Sequence, residues 1–143
     1  GGSELSTYAA SCRLGIERRT VPGETEASVR AEIEALVDET AAADPTFRAT
    51  VRSLLARNAF EVSPDALVVR AVREAAARRL HRTPAFIGKP FWMDSAILAD
   101  AGVETVIIGP VGSGAHTADE WVDLESLAQF AALLADAVVA CCG

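Results

Sequence analysis

One stretch decides the fold: residues Val106–Val122 read VIIGPVGSGAHTADEWV. β-Branched residues run into a loop rich in glycine, which is typical of a buried strand followed by a ligand-binding loop. His116 lies in that loop. Because open α/β sheets bind ligands at the carboxyl ends of their strands, this placement predicts a functional site around His116. The rest of the chain is interpreted as the scaffold of this loop or as a module that covers it.

The residues around this stretch predict alternating helices and strands. We predict helices over residues 65–81, 95–101 and 123–140, and short strands over 85–88 and 103–108. Ser63 and Pro64 are expected to begin the first of these helices. Asp94 can cap the second helix and Gly102 is expected to end it. This order predicts an α/β domain, although two short strands alone make a poor core.

The first and last of these helices carry apolar stripes at helical spacing, and both stripes are expected to face the core. The first stripe consists of Leu67, Val68, Ala71, Val72, Ala75 and Ala76. The last consists of Leu124, Leu127, Phe130, Leu134 and Val138. The arginines of the first helix are interpreted as a solvated face, with an anion site as the alternative.

The N-terminal part has a different pattern. Residues 8–21 alternate apolar and polar side chains and predict a strand, and a helix follows over residues 24–42. Residues 46–62 favour a second strand, although part of this segment would also suit a helix. Strand, helix and strand form half of a ferredoxin-like sandwich. We therefore divide the chain into residues 1–62 and 63–143, neither of which looks complete.

The bulk composition limits the classes of partner. The chain has 143 residues and a formal net charge of −7, which argues against a nucleic-acid binder. No apolar run reaches the roughly 18 residues of a membrane span, and no signal peptide is evident. Three cysteines without framework spacing suggest free thiols in a reducing compartment. We therefore expect a cytoplasmic protein that binds neither nucleic acid nor membrane.

Two segments carry a family resemblance. GPVGSGAHTADEWV resembles the closing motif of the zinc-dependent superfamily of aminoacylase, acetylornithine deacetylase, succinyl-diaminopimelate desuccinylase and carboxypeptidase G. The preceding KPFWMDSAILADAGVETVIIGP also matches that family. LGIERRTVPGETEASVRAEI is similar to the family's lid domain, where Glu17, Arg19 and Pro22 fit an acid-x-Arg-x-x-Pro pattern. The resemblance covers residues 12–140.

The resemblance implies a fold and an activity. The chain would be the C-terminal part of a zinc-hydrolase α/β domain, preceded by half of a ferredoxin-like lid through which the protein forms a homodimer. The family cleaves the amide bond of an N-acyl amino acid or small peptide with water activated by two zinc ions, and cobalt is a possible substitute. The alternative is a catalytically silent lid or dimerisation fragment that acts as an interaction module.

The resemblance also assigns residues to roles. His116 matches a zinc ligand, and Arg19 matches a lid arginine that holds a substrate carboxylate. Gly112, Ser113 and Gly114 match the loop that lines the substrate site. No catalytic residue is assigned to this chain, because the family's H-x-D, bridging aspartate and glutamate pair match nothing in it.

Structural alternatives stand beside these assignments. His116 could be an ordinary loop histidine, and Arg19 could be a surface or interface arginine. Asp119 and Glu120 could orient a metal-bound histidine or simply face solvent. Two positions depart from the family pattern: Val111 replaces a glycine, and Met93 stands where several relatives carry a small hydroxyl residue.

Overall fold

The computed structural model describes residue 2 and residues 4–143, and in that part of the chain four helices and one short hairpin form. The elements are α1 (Glu26–Ala43), α2 (Leu67–Leu80), α3 (Ser95–Asp100), β1 (Gly112–Ser113), β2 (Trp121–Val122) and α4 (Leu124–Cys142). All four helices predicted from the sequence are confirmed, each with both ends within two residues of the prediction.

Helix α1 has a complete local start signal. The Thr25 hydroxyl accepts from the backbone N–H of Ser28, and the Ser28 hydroxyl accepts from the N–H of Thr25, so two free donors of the first turn are satisfied. The helix ends at Asp44, before Pro45, because the residue before a proline avoids helical angles. No residue of α1 is buried.

Helix α2 begins later than its sequence signal suggests. The prediction that Ser63 starts it is wrong: the Ser63 hydroxyl accepts from the N–H of Asp65, and the helix begins at Leu67. The Glu104 carboxylate accepts from the Leu67 N–H at 2.8 Å, from 37 residues away in sequence. A distant acid thus supplies the favourable charge at this N-terminus.

Helix α3 is short and ends in a glycine motif. Asp94 occupies the N-cap position, but its side chain makes no capping hydrogen bond, so the predicted side-chain cap is wrong. At the other end, the Gly102 N–H donates to the carbonyl of Ala99 and the Val103 N–H donates to that of Leu98. With Gly102 at φ +79°, this is a Schellman motif, and the predicted stop is confirmed.

The four segments predicted as strands are not strands in this structure. Residues 8–21, 46–62, 85–88 and 103–108 form neither helix nor ladder, so the helical alternative for 46–62 is also wrong. A strand exists only through hydrogen bonds to a neighbour, and an alternating pattern does not supply that neighbour. In one segment the alternating pattern still indicates which side chains face the core: Val106 and Ile108 pack against it, whereas Ile107 is exposed.

The buried core lies between α2 and α4. Val72, Ala75 and Ala76 pack against Leu133 and Ala137. Three of these five side chains are methyl groups, so the two helices can approach closely and the core is thin.

An ion pair spans the same contact. Arg79 on α2 donates from Nε and Nη2 to the two carboxylate oxygens of Asp136 on α4, both at 2.8 Å. The hydrogen bond from Arg79 holds the pKa of the Asp136 carboxyl below its ordinary value. This bidentate geometry fixes the rotation of one helix against the other.

The two predicted stripes are only partly correct. On α2, Val69 is buried, whereas Leu67 is 48% exposed. On α4, Leu133 and Ala137 face the core, whereas Leu134 and other members of the predicted stripe are exposed. Helix α4 is apolar on several faces, so its sequence does not determine which face meets α2.

By length and composition alone, α4 could cross a membrane, which corrects the expectation that no segment would qualify. Its best 18-residue window has a mean hydropathy of 1.6, and 11% of that window is buried. A core helix passes the same test. Asp136, within α4, is ion-paired with Arg79, and this pairing accounts for a charged residue in so apolar a helix.

Candidate functional site

The residues around His116 form a hairpin that precedes α4. Gly112 pairs with Val122 and Ser113 pairs with Trp121 in an antiparallel ladder, and residues 114–120 connect them. This loop is the one that the sequence singles out. The structure therefore presents it as a seven-residue loop between two short strands.

The start of α4 anchors this hairpin. The Asp123 N–H donates to the Val111 carbonyl, and the Val111 N–H donates to the Ser126 hydroxyl, both at 2.9 Å. The Asp123 side chain caps the helix by accepting from the Ser126 N–H. The hairpin and the first turn of α4 are thus one hydrogen-bonded unit.

The hairpin itself requires glycine at two of the three loop positions that were assigned to substrate binding. A Cβ at Gly112 would lie 2.6 Å from the carbonyl oxygen of Trp121, and one at Gly114 would lie 2.7 Å from that of Asp119. Gly114 also has φ +78°, an angle that side chains resist. These glycines are needed for the close approach of the two sides of the hairpin, whether or not a ligand binds there.

His116 has the most unusual backbone in the hairpin. It is the third residue of a turn in which the Thr117 N–H donates to the Gly114 carbonyl at 2.9 Å. Its φ is +65°, which few non-glycine residues adopt. The residue is exposed, and none of the described residues hydrogen bonds with its imidazole. The ring is therefore free to bind a ligand through either nitrogen.

The described residues do not form a metal site by themselves. No group of three or more histidine, cysteine, aspartate or glutamate side chains converges in that part of the chain. Catalytic zinc normally uses three protein ligands, so His116 alone does not fit the ion. The cysteines are free thiols, as the sequence suggests, and Cys141 and Cys142 lie at the opposite end of α4.

The structure places Arg19 beside the loop before α3. Its Nη1 donates to the Pro90 carbonyl at 2.8 Å, and its Nη2 lies 2.7 Å from a carboxylate oxygen of Glu17. No hydrogen bond or ion pair joins Arg19 to the hairpin among the described residues. Arg19 is thus brought to the C-terminal part of the chain, but not into contact with His116.

Two further residues contact the same region, and the sequence analysis did not single them out. The guanidinium of Arg57 lies over Trp92, 5.7 Å from the ring centroid. The Asn58 amide donates to the Asp100 carboxylate at 3.0 Å. Both contacts join residues more than thirty positions apart, and no local sequence signal could have identified them.

The segment that carries Arg19 is tied to α1 by its neighbour. Arg18 pairs with Glu24 and with Glu32 of α1. The pKa of the Glu24 carboxyl is held below its ordinary value, first by the Val21 N–H and then by Arg18. These contacts engage Arg18 within the N-terminal part, whereas Arg19 contacts both Glu17 of that part and Pro90.

The comparisons with known proteins fit this arrangement. An acetylornithine deacetylase from Myxococcus xanthus is 29% identical to this chain over 144 residues. The alignment covers 100% of this chain and 36% of the relative, so the chain spans about a third of that protein's length. No solved structure matches the chain.

The match to a family model extends well beyond the residues of the hairpin. The model for peptidase family M20/M25/M40 matches residues 6–140, which include the segment around Arg19, the loop before α3 and the hairpin with His116. The resemblance that the two sequence motifs carried is thereby confirmed. The chain belongs to peptidase family M20/M25/M40.

Proposed function

We propose that this chain is the C-terminal portion of a zinc-dependent amidohydrolase that removes the acyl group from an N-acyl amino acid or small peptide. The observation that carries the proposal is the family match over residues 6–140, which extends through both motifs. The M. xanthus relative named acetylornithine deacetylase, aligned with the whole chain, supports a deacylase. Family membership itself implies an α/β fold and a hydrolase of which this chain is one portion.

In this proposal His116 would ligate a zinc ion, or a cobalt ion in its place, through one imidazole nitrogen. Support comes from its exposed ring, which lies in an anchored hairpin and has no hydrogen-bond partner among the described residues. Bound zinc polarises an amide carbonyl and makes water nucleophilic. The other ligands and the general base would come from residues outside this chain, because the described residues do not complete a site.

Arg19 would bind a substrate carboxylate. Its guanidinium carries five N–H donors in a planar fork, and its contacts with Pro90 and Glu17 leave donors free. The backbone of Gly112, Ser113 and Gly114 would line the substrate site beside His116. Residues 1–62 would act as the lid that brings Arg19 to the substrate.

The test uses the full gene product that contains this chain. We expect His116→Asn to lower kcat/KM for N-acetylornithine or another N-acetyl amino acid by more than about 100-fold, since loss of mere supporting contacts to metal ligands costs 10–100-fold. Metal analysis by mass spectrometry should show less bound zinc in this variant.

His81 provides a matched control. It is also an exposed histidine at positive φ, 51° against 65° for His116, and asparagine tolerates such angles. His81→Asn should therefore carry the same backbone cost and leave both activity and zinc content unchanged. Full activity in His116→Asn, or equal losses in both variants, would overturn the proposed role of His116.

We also propose a homodimer formed through residues 1–62. The support is a set of exposed apolar side chains on segments that find no strand partner in the described part of the chain: Leu14, Ile16, Leu54 and Leu55. Unpaired segments of this kind invite pairing with another chain. Sedimentation of the full gene product should show a dimer, and a monomer at high concentration would contradict it. A dimer that lacks hydrolase activity would favour the interaction-module alternative.

A further inference from the structure

The N-terminal part of the chain is held by polar contacts rather than by a shared core. Every buried residue in the described chain lies at or after Ala66, so residues 4–65 add none. Among the described residues, three hydrogen-bond or cation–π contacts cross between the parts: Arg19 with Pro90, Arg57 with Trp92, and Asn58 with Asp100. The position of one part on the other therefore depends on these side chains.

All three contacts meet one short segment. Pro90 and Trp92 lie in the loop before α3, and Asp100 is the last residue of that helix. Arg19 and Arg57 thus contact the beginning of the segment, and Asn58 contacts its end. The Arg19–Pro90 hydrogen bond is 2.8 Å long, so a shift of the segment by more than about 0.5 Å would move the Pro90 carbonyl out of good hydrogen-bond distance.

The loop has one further contact of this kind among the described residues: the guanidinium of Arg73 lies over Phe86, 5.1 Å from the ring centroid. Residues 81–94 are all exposed, so no buried side chain of the loop anchors it. A cavity of about 400 Å³, lined in part by Glu26, Arg57, Asn58 and Asp100, lies at the same junction. Because the cavity leaves part of the junction unfilled, the directional contacts help to set its geometry.

We propose that Arg57 and Asn58 are positioning residues for substrate binding: by holding Trp92 and Asp100, they keep the loop at Pro90 where Arg19 meets it. This inference rests on the proposed function, in which Arg19 binds the substrate carboxylate. Arg57 and Asn58 act through Arg19 and touch no substrate themselves. Their loss lowers the fraction of molecules whose Arg19 is correctly placed, and the apparent affinity falls by that fraction.

The expected effects are measured as KM for an N-acetyl amino acid with the full gene product. An exposed cation–π contact corresponds to about 2- to 5-fold in an equilibrium, so Arg57→Gln should raise KM by up to that factor with kcat unchanged. Asn58→Ala should raise KM by about 2- to 10-fold. Arg57→Lys keeps a cation over the ring and should retain most of the affinity.

Arg52 is the matched control. It lies in the same segment, is exposed, and makes no hydrogen bond or ion pair with the described residues, so Arg52→Gln should leave KM unchanged. Circular dichroism melting would show whether each variant is folded. An equal rise in KM for Arg52→Gln and Arg57→Gln would overturn the inference.

A double-mutant cycle separates this inference from the proposed function. Arg19→Gln should raise KM, and adding Arg57→Gln to it should have no further effect, because a positioning residue has nothing left to position. Additive effects would overturn the positioning role. If Arg19→Gln alone leaves KM unchanged, the proposed role of Arg19 fails. If it raises KM while Arg57→Gln and Asn58→Ala do not, only the positioning inference fails.

Discussion

Gly114→Ala tests how the hairpin around His116 is built. Alanine at φ +78° costs about 1–2 kcal/mol. Its Cβ would also lie 2.7 Å from the carbonyl oxygen of Asp119, and such crowding typically costs about 1–3 kcal/mol. The reduced freedom of the unfolded chain returns about 0.4–1 kcal/mol. The free energy of unfolding should therefore fall by about 1–5 kcal/mol.

Three other glycines separate these two costs. Gly102 has positive φ and open space, Gly112 has a close carbonyl without positive φ, and Gly109 has neither. The loss of stability in Gly102→Ala should therefore measure the cost of backbone strain alone, and that in Gly112→Ala the cost of crowding alone. Gly109→Ala should leave the free energy of unfolding unchanged or raise it slightly. Urea denaturation followed by circular dichroism measures all four variants.

The comparison is meaningful because the hairpin is coupled to the core. The hydrogen bonds of Val111 with Asp123 and Ser126 tie it to the first turn of α4, whose later residues Leu133 and Ala137 are buried. The reasoning is refuted if Gly114→Ala costs no more than Gly102→Ala, since the two strands would then not approach each other as described. In the full gene product, Gly114→Ala should also lower zinc content, because it displaces the turn that carries His116.

Three further predictions concern the core, the ion pair and the histidines. Leu133→Ala should lower the free energy of unfolding by about 2–5 kcal/mol in urea, and a loss below about 1 kcal/mol would contradict its packing. Because the pKa of Asp136 is lowered in the folded state, its pairing with Arg79 stabilises the fold above the ordinary pKa of 3.8 and is lost as pH falls through the folded value. Asp136→Asn should thus be less stable near neutral pH but show a shallower decline in melting temperature below about pH 4. His116→Gly and His81→Gly should each change stability by no more than about 1 kcal/mol, since relief of positive φ opposes the entropy of glycine. Only His116→Gly should lose activity, and loss in both would contradict its assignment.

The helices were predictable because their signals are local. Thr25 and Ser28 cap α1 through neighbouring atoms, Pro45 forbids its continuation, and Gly102 ends α3 through its own φ. Each signal acts within four residues and needs no knowledge of the fold. The same reasoning failed at Ser63 and Asp94, where a residue suited to capping was present but its side chain did not cap the helix.

The strands and the inward faces could not be predicted in the same way. The alternating pattern of residues 8–21 predicts which side chains would share a face of a strand. A strand also needs a neighbouring strand to pair with, and no residue of the described chain provides one. Helix α4 offers apolar residues on several faces, and its contact with α2 is selected by the methyl groups of Ala75 and Ala76 together with the Arg79–Asp136 pair. Such choices depend on contacts distant in sequence.

The hairpin shows what a structure adds to a motif. Sequence resemblance assigned Gly112, Ser113 and Gly114 to the substrate, yet close carbonyls and positive φ already account for both glycines. Ser113 is engaged in the ladder with Trp121.

The backbone of His116 has a local account, since it is the third residue of the turn that the Thr117 N–H closes onto the Gly114 carbonyl, but its side chain has none: the residue is exposed and its ring is unpaired among the described residues. Because His81 also has positive φ, the backbone does not distinguish His116. Its unengaged ring and its position within the family match make His116 the residue of this hairpin whose chemistry should be tested first.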